Sequence, residues 1–126
     1  NFVNDSKATN VAAAVASVQS VDGMLVLLAG GEGKGADYGE LAAAVENKLR
    51  AAVLIGTDAE AISAALDTVM PVYFAQDMQD AVSQAAVYAE TDDTVLLAPA
   101  CASFDQYRNY AARGDAFCDA VEALSR

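Results

Sequence analysis

The stretch MLVLLAGGEGKGADYGEL, residues 24–41, runs from aliphatic residues through a glycine cluster into a segment with helical spacing. A short continuous apolar run closed by Gly-Gly reads as a β-strand buried on both faces, and the change of period after it marks a helix. Strand, tight turn and helix together form the unit from which parallel α/β sheets are assembled.

Outward from this stretch the same pattern repeats. AAVLIG at 51–56, MPVYFA at 70–75 and TVLLAP at 94–99 are further predicted strands buried on both faces, and Asn1-Phe2-Val3 reads as the tail of another. Between them the spacing predicts helices over about 9–19, 38–48, 58–66, 77–89 and 114–125. Repeated strand–helix–strand units imply right-handed crossovers. The expected fold is therefore α/β: a Rossmann-like, doubly wound, mostly parallel sheet flanked by helices, in a single domain over residues 1–126. No Met precedes Asn1, so the chain is expected to be a piece of a longer protein.

Composition narrows the functional classes. With 126 residues, 55% apolar content and two prolines, the chain can bury a core without disulfide or metal staples. Eighteen acidic residues against seven basic ones give a formal charge of −11, which argues against nucleic acid and anionic membrane surfaces as partners. An anionic ligand must then be caught locally, against the overall field. The absence of histidine and the presence of two cysteines argue against a zinc site and a disulfide framework, and a reducing cytoplasm fits best. Cys101 and Cys118 read as small buried side chains, and without a histidine base Cys101 is a poor nucleophile. No apolar run approaches the roughly 20 residues that span a bilayer.

Ligands of such sheets gather at the carboxyl ends of the strands, where loops meet helix N-termini. Three loops qualify. NDSKATN at 4–10 offers Thr9 or Asn10 as a helix cap, and it leaves Lys7 and Asp5 projecting beside a helix start, a setting suited to phosphate or carboxylate. GGEGKGAD at 30–37 lets backbone N–H groups crowd around an anion, with Lys34 adding a point charge. It is not a Walker A loop, which needs Ser or Thr after the lysine. It does satisfy a loose dinucleotide pattern at Gly31, Gly33 and Ala36, with Asp58 after the next strand as the ribose-binding acid. The third loop, APACASFDQYRNY at 98–110, places small residues and Ser103 at what reads as another helix start. Each loop also has a purely local use, as a cap or a tight turn.

Taken together, NDSKATN, LLAGGEGKGADYGEL and LLAPACASFDQYRNYAARGDAF resemble the C-terminal domain of the Mur ligase family, in its D-glutamate-adding branch. The resemblance covers essentially the whole chain, and PACASFDQ with NY and RG downstream is its most specific part. It implies an ATP-dependent, magnesium-assisted amide ligase of cytoplasmic peptidoglycan synthesis, in which D-glutamate attacks an acyl phosphate of UDP-N-acetylmuramoyl-L-alanine. It further implies that ATP and Mg2+ are bound mainly by the central domain of a three-domain chain, with no metal ligands here, and that the isolated domain is inactive. No residue here is required as a nucleophile.

By motif position, the resemblance implies that Lys34 and Thr9 hold the α-carboxylate of D-glutamate. Ser103 and the backbone around Phe104 and Tyr110 take its side-chain carboxylate. Lys7 faces phosphate and substrate, and Asp5 faces ATP. Ala98, Glu32 and Tyr110 depart from the family's commoner Ser, Asp and Phe. The chain is expected to be a monomer. The alternative readings are a dinucleotide-binding Rossmann domain or a non-catalytic binding module.

Overall fold

The computed structural model describes residues 1–33, 37–67, 70–102 and 107–124. Strands and helices alternate along the chain: β1 (Phe2–Asn4), α1 (Val11–Ser20), β2 (Leu25–Gly30), α2 (Gly39–Val45), β3 (Leu49–Ile55), α3 (Ala59–Leu66), β4 (Val72–Phe74), α4 (Met78–Tyr88), β5 (Thr94–Leu97) and α5 (Tyr110–Leu124). All strand pairs are parallel, and the order across the sheet is β1-β5-β2-β3-β4.

This order follows from the handedness of the connections. The steps β1 to β2, β2 to β3 and β3 to β4 all advance in one direction, so right-handed crossovers put α1, α2 and α3 on one face. The step from β4 back to β5 reverses direction and puts α4 on the other face, where α5 joins it. The core divides accordingly. Leu25, Leu27 and Ala29 of β2 pack with Val18, Leu41 and Ile62, whereas Val26 and Leu28 pack with Val82, Ala85 and Phe117. The two-residue period of a strand thus serves both layers. Each fully buried leucine contributes about 1.5–3 kcal/mol.

Several expectations need correction. The helix predicted over 38–48 stops at Val45, because Asn47 takes the left-handed conformation (φ 65°) that asparagine tolerates. β3 then starts at Leu49, and its pairing with β2 shifts register between Leu25 and Val26, so that Arg50 is passed over and the aliphatic faces stay aligned. β4 is a half-exposed edge strand rather than one buried on both faces. The last helix begins at Tyr110, four residues before the predicted start. Asn109 caps it by accepting the Ala112 N–H at 2.8 Å. Cys101 is buried as expected, but Cys118 is exposed, since its position on α5 turns it from the core.

Candidate functional site

β1, β5 and β2 are neighbours in the sheet, so the loops that leave their carboxyl ends emerge side by side. Backbone hydrogen bonds tie the loops together. Asp5 N–H donates to Leu97 O at 2.8 Å, Ala100 N–H to Ala8 O at 2.9 Å, and Gly30 N–H to Pro99 O at 3.0 Å. Glu32 and Ala102 exchange two bonds of 2.8 and 3.0 Å in an isolated antiparallel bridge. That bridge joins the glycine-rich turn to the loop after β5, next to Gly33 on one side and at the last described residue before Ser103 on the other. Gly30 and Gly31 both take positive φ, and so does Ala100 (φ 62°).

The predicted site residues fall as follows. Asn10, not Thr9, caps α1, accepting the Ala13 N–H at 2.8 Å, so half-buried Thr9 is not needed for that purpose. Asp5 is half-buried, and Lys7 is exposed. Lys7 and Tyr110 line one groove of about 220 Å³ with Asn4, Ser6, Gly114 and Asp115, which joins the first loop to the start of α5. Tyr110 is 50% exposed. Lys34, Ala36, Ser103 and Phe104 lie outside the described residues. α5 itself begins at Tyr110.

The acid of the dinucleotide reading has another use. Asp58 does follow β3, but its Oδ2 accepts the Tyr38 phenol O–H at 2.7 Å. Its backbone N–H donates to Gly31 O at 2.9 Å. The carboxylate therefore serves the glycine-rich turn, and that reading loses its ribose-binding group.

Two residues without a predicted role organise the site. Arg113, only 1% exposed, donates from Nε to Ser6 Oγ at 3.0 Å, from Nη2 to Ser6 O at 2.8 Å and from Nη1 to Cys101 O at 2.9 Å. Ser6 Oγ–H in turn donates a hydrogen bond to Tyr110 O at 2.6 Å. A buried guanidinium is tolerable only when its donors are met in this way. Arg113 thereby fixes the first loop against the third and against α5. A signal for it existed in the sequence: glycine inside a helix costs about 1 kcal/mol, so Gly114 beside Arg113 marks a close approach.

The second is Tyr38, 4% exposed, whose Oη also contacts Cys101 Sγ at 3.1 Å. Burial, then the hydrogen bonds with Cys101 and Asp58, push its phenol well above the ordinary tyrosine value. Nothing in the local sequence pattern marks it.

Chemically, the arrangement offers a lysine over a groove, together with constrained turns and helix starts, which suit the capture of an anion. Among the described residues no group of three or more Cys, Asp or Glu gathers that could hold a metal ion, and no helix is long and apolar enough to cross a membrane.

Comparison with known proteins gives consistent results. A family model described as "Mur ligase, glutamate ligase domain" matches residues 1–101. The chain is similar to UDP-N-acetylmuramoylalanine–D-glutamate ligases. It is 50% identical over 129 residues to the one from Pseudomonas syringae pv. syringae, covering 99% of this chain and 29% of that protein. It is 49% identical over 124 residues to the one from Methylococcus capsulatus, covering 98% and 27%. The chain thus spans less than a third of the length of these relatives.

Among solved structures, a domain described as from a UDP-N-acetylmuramate:L-alanyl-gamma-D-glutamyl-medo-diaminopimelate ligase of Haemophilus ducreyi matches with a TM-score of 0.56 at 14% identity, over 98% of this chain and 87% of that one. Folylpolyglutamate synthase of Mycobacterium tuberculosis, complexed with ADP and AMPPCP, matches with a TM-score of 0.56 at 19% identity, over 92% of this chain and 28% of that one. These two likenesses bear on the fold alone.

Proposed function

The chain belongs to the Mur ligase family as its glutamate ligase domain, and from that premise we propose that it binds D-glutamate and completes the ATP site of a cytoplasmic ligase that joins D-glutamate to UDP-N-acetylmuramoyl-L-alanine. The observation that carries this reading is the convergence of the loops after β1, β5 and β2, held together by the Glu32–Ala102 bridge and by Arg113. A small dicarboxylate needs two separated anion-receptive pockets, and an acidic chain can supply them only where such loops meet.

In this reading Lys34 and Thr9 hold the α-carboxylate, and Ser103 with the backbone near Phe104 and Tyr110 holds the side-chain carboxylate. Lys7, exposed over its groove, faces phosphate and the growing bond, and Asp5 faces ATP. Holding the D-glutamate amine in place turns a bimolecular encounter into a preorganised one, and this is the domain's contribution to rate. Magnesium, when bound, neutralises phosphate charge. In this reading the central domain holds most of the ion's ligands. The remaining domains of the same chain supply the nucleotide and UDP sites, so the isolated domain has no turnover of its own, and it works as a monomer.

The test is Lys34→Ala in the protein that carries this domain with the others. Loss of a charge-assisted carboxylate contact should raise KM for D-glutamate about 10- to 100-fold. An unchanged KM with collapsed ATP binding would show that Lys34 serves the nucleotide instead.

A further inference from the structure

We propose that Tyr38 is a positioning residue for this site: its phenol, bonded at once to Asp58 and Cys101, clamps the glycine-rich turn after β2 to the loops after β3 and β5. The consequence for ligand binding rests on the function proposed above, whereas the clamp itself stands on geometry.

Three loops meet at one oxygen. Tyr38 Oη lies 2.7 Å from Asp58 Oδ2 and 3.1 Å from Cys101 Sγ. A carboxylate accepts hydrogen bonds and donates none. The single phenol proton therefore goes to Asp58, which leaves an Oη lone pair for the Cys101 S–H. The order Cys101 to Tyr38 to Asp58 requires the thiol to keep its proton.

The glycine-rich turn rests on this pair. A Cβ added to Gly33 would stand 2.0 Å from Tyr38 Oη and 2.1 Å from Asp58 Oδ2, so the Gly33 backbone lies directly against the two oxygens. The Asp58 N–H holds Gly31 O at the other end of the same turn. Gly33 and Tyr38 are thus both held against the loop after β3. The ring packs among the aliphatic residues of the core, and phenylalanine would fill the same space. The hydroxyl is what the clamp needs.

The experiment uses the protein that carries all its domains. Tyr38→Phe should raise KM for D-glutamate about tenfold, the cost of one buried hydrogen bond, with kcat changed by less than about threefold. A role confined to packing would leave KM in place. The same variant should speed alkylation of Cys101 by iodoacetamide about tenfold, read by mass spectrometry, with Cys118 labelled at its original rate as an internal control. Asp58→Ala is the second variant, and it should move KM and Cys101 labelling in the same directions.

Unchanged Cys101 labelling in both variants would overturn the clamp whatever the ligand. If Lys34→Ala raises KM for D-glutamate and neither clamp variant does, positioning by Tyr38 is wrong while the site stands. If Lys34→Ala also leaves KM unmoved, the reading of the site itself falls.

Discussion

The two ends of the sheet solve the same problem differently. At the amino end of the strands, Arg50 pairs with Asp93 and Glu90, Asp93 also accepts the Glu90 N–H at 2.8 Å, and the Lys48 ammonium donates to Val21 O. Opposite charges meet there, with Glu90 open to water, Arg50 partly so and Asp93 buried beneath them. At the carboxyl end, Arg113 and Tyr38 are buried, and their described partners are carbonyls, a hydroxyl, a thiol and one carboxylate. The first arrangement is partly screened by water, so its loss should cost less. The second holds the loops after β1, β2, β3 and β5 in register, and its loss leaves polar groups stranded in a low dielectric.

The largest effect should come from Arg113→Leu. Two carbonyls and a hydroxyl lose their described donor, and unfolding stability should fall by about 3–5 kcal/mol, measured by urea denaturation. A loss below about 1 kcal/mol would erase the contrast between the ends.

Asp93→Asn is the matching change at the amino end and should cost less. The hydrogen bond from Arg50, first, and the one from the Glu90 N–H hold the Asp93 carboxyl below the ordinary carboxylate range. A depressed folded-state value means that the contribution is full above the unfolded value and is lost as pH falls through the folded one. The gap in thermal midpoint between variant and parent should therefore be present at neutral pH and close on acidification. A gap that widened in acid would reverse the assignment.

The smallest effect concerns Ala100, which holds a left-handed conformation in the loop after β5. Ala100→Gly should relieve that strain and gain about 0.5–1 kcal/mol. A loss would mean that the loop, not the residue, sets the angle at no cost.

What the sequence revealed was mostly what repeats along it. The aliphatic runs gave the strands of the core, and their alternation with helices gave the parallel order that brings the three loops together. The start of α5 was misplaced because Asn109 caps a helix whose interior contains Gly114, and a mid-helix glycine reads as a boundary. Cys118 reads as buried because free cysteines usually are, and its exposed place on α5 overrides that tendency. Arg113 and Ser6 stand 107 residues apart in the chain, and Tyr38, Asp58 and Cys101 meet from three separate loops. Such pairings leave no periodic trace. Thr9 was legible as one of two cap candidates, while its release from capping needed the geometry of Asn10.

The central claim is that the turns after β1, β5 and β2 together grip one D-glutamate. The most direct measurement is a crystal structure of the multidomain protein with D-glutamate bound. The account predicts the α-carboxylate within hydrogen-bond reach of Thr9 and Lys34, and the side-chain carboxylate at Ser103 and the backbone near Phe104 and Tyr110. A ligand seated away from all three turns, or in contact with only one, would contradict it.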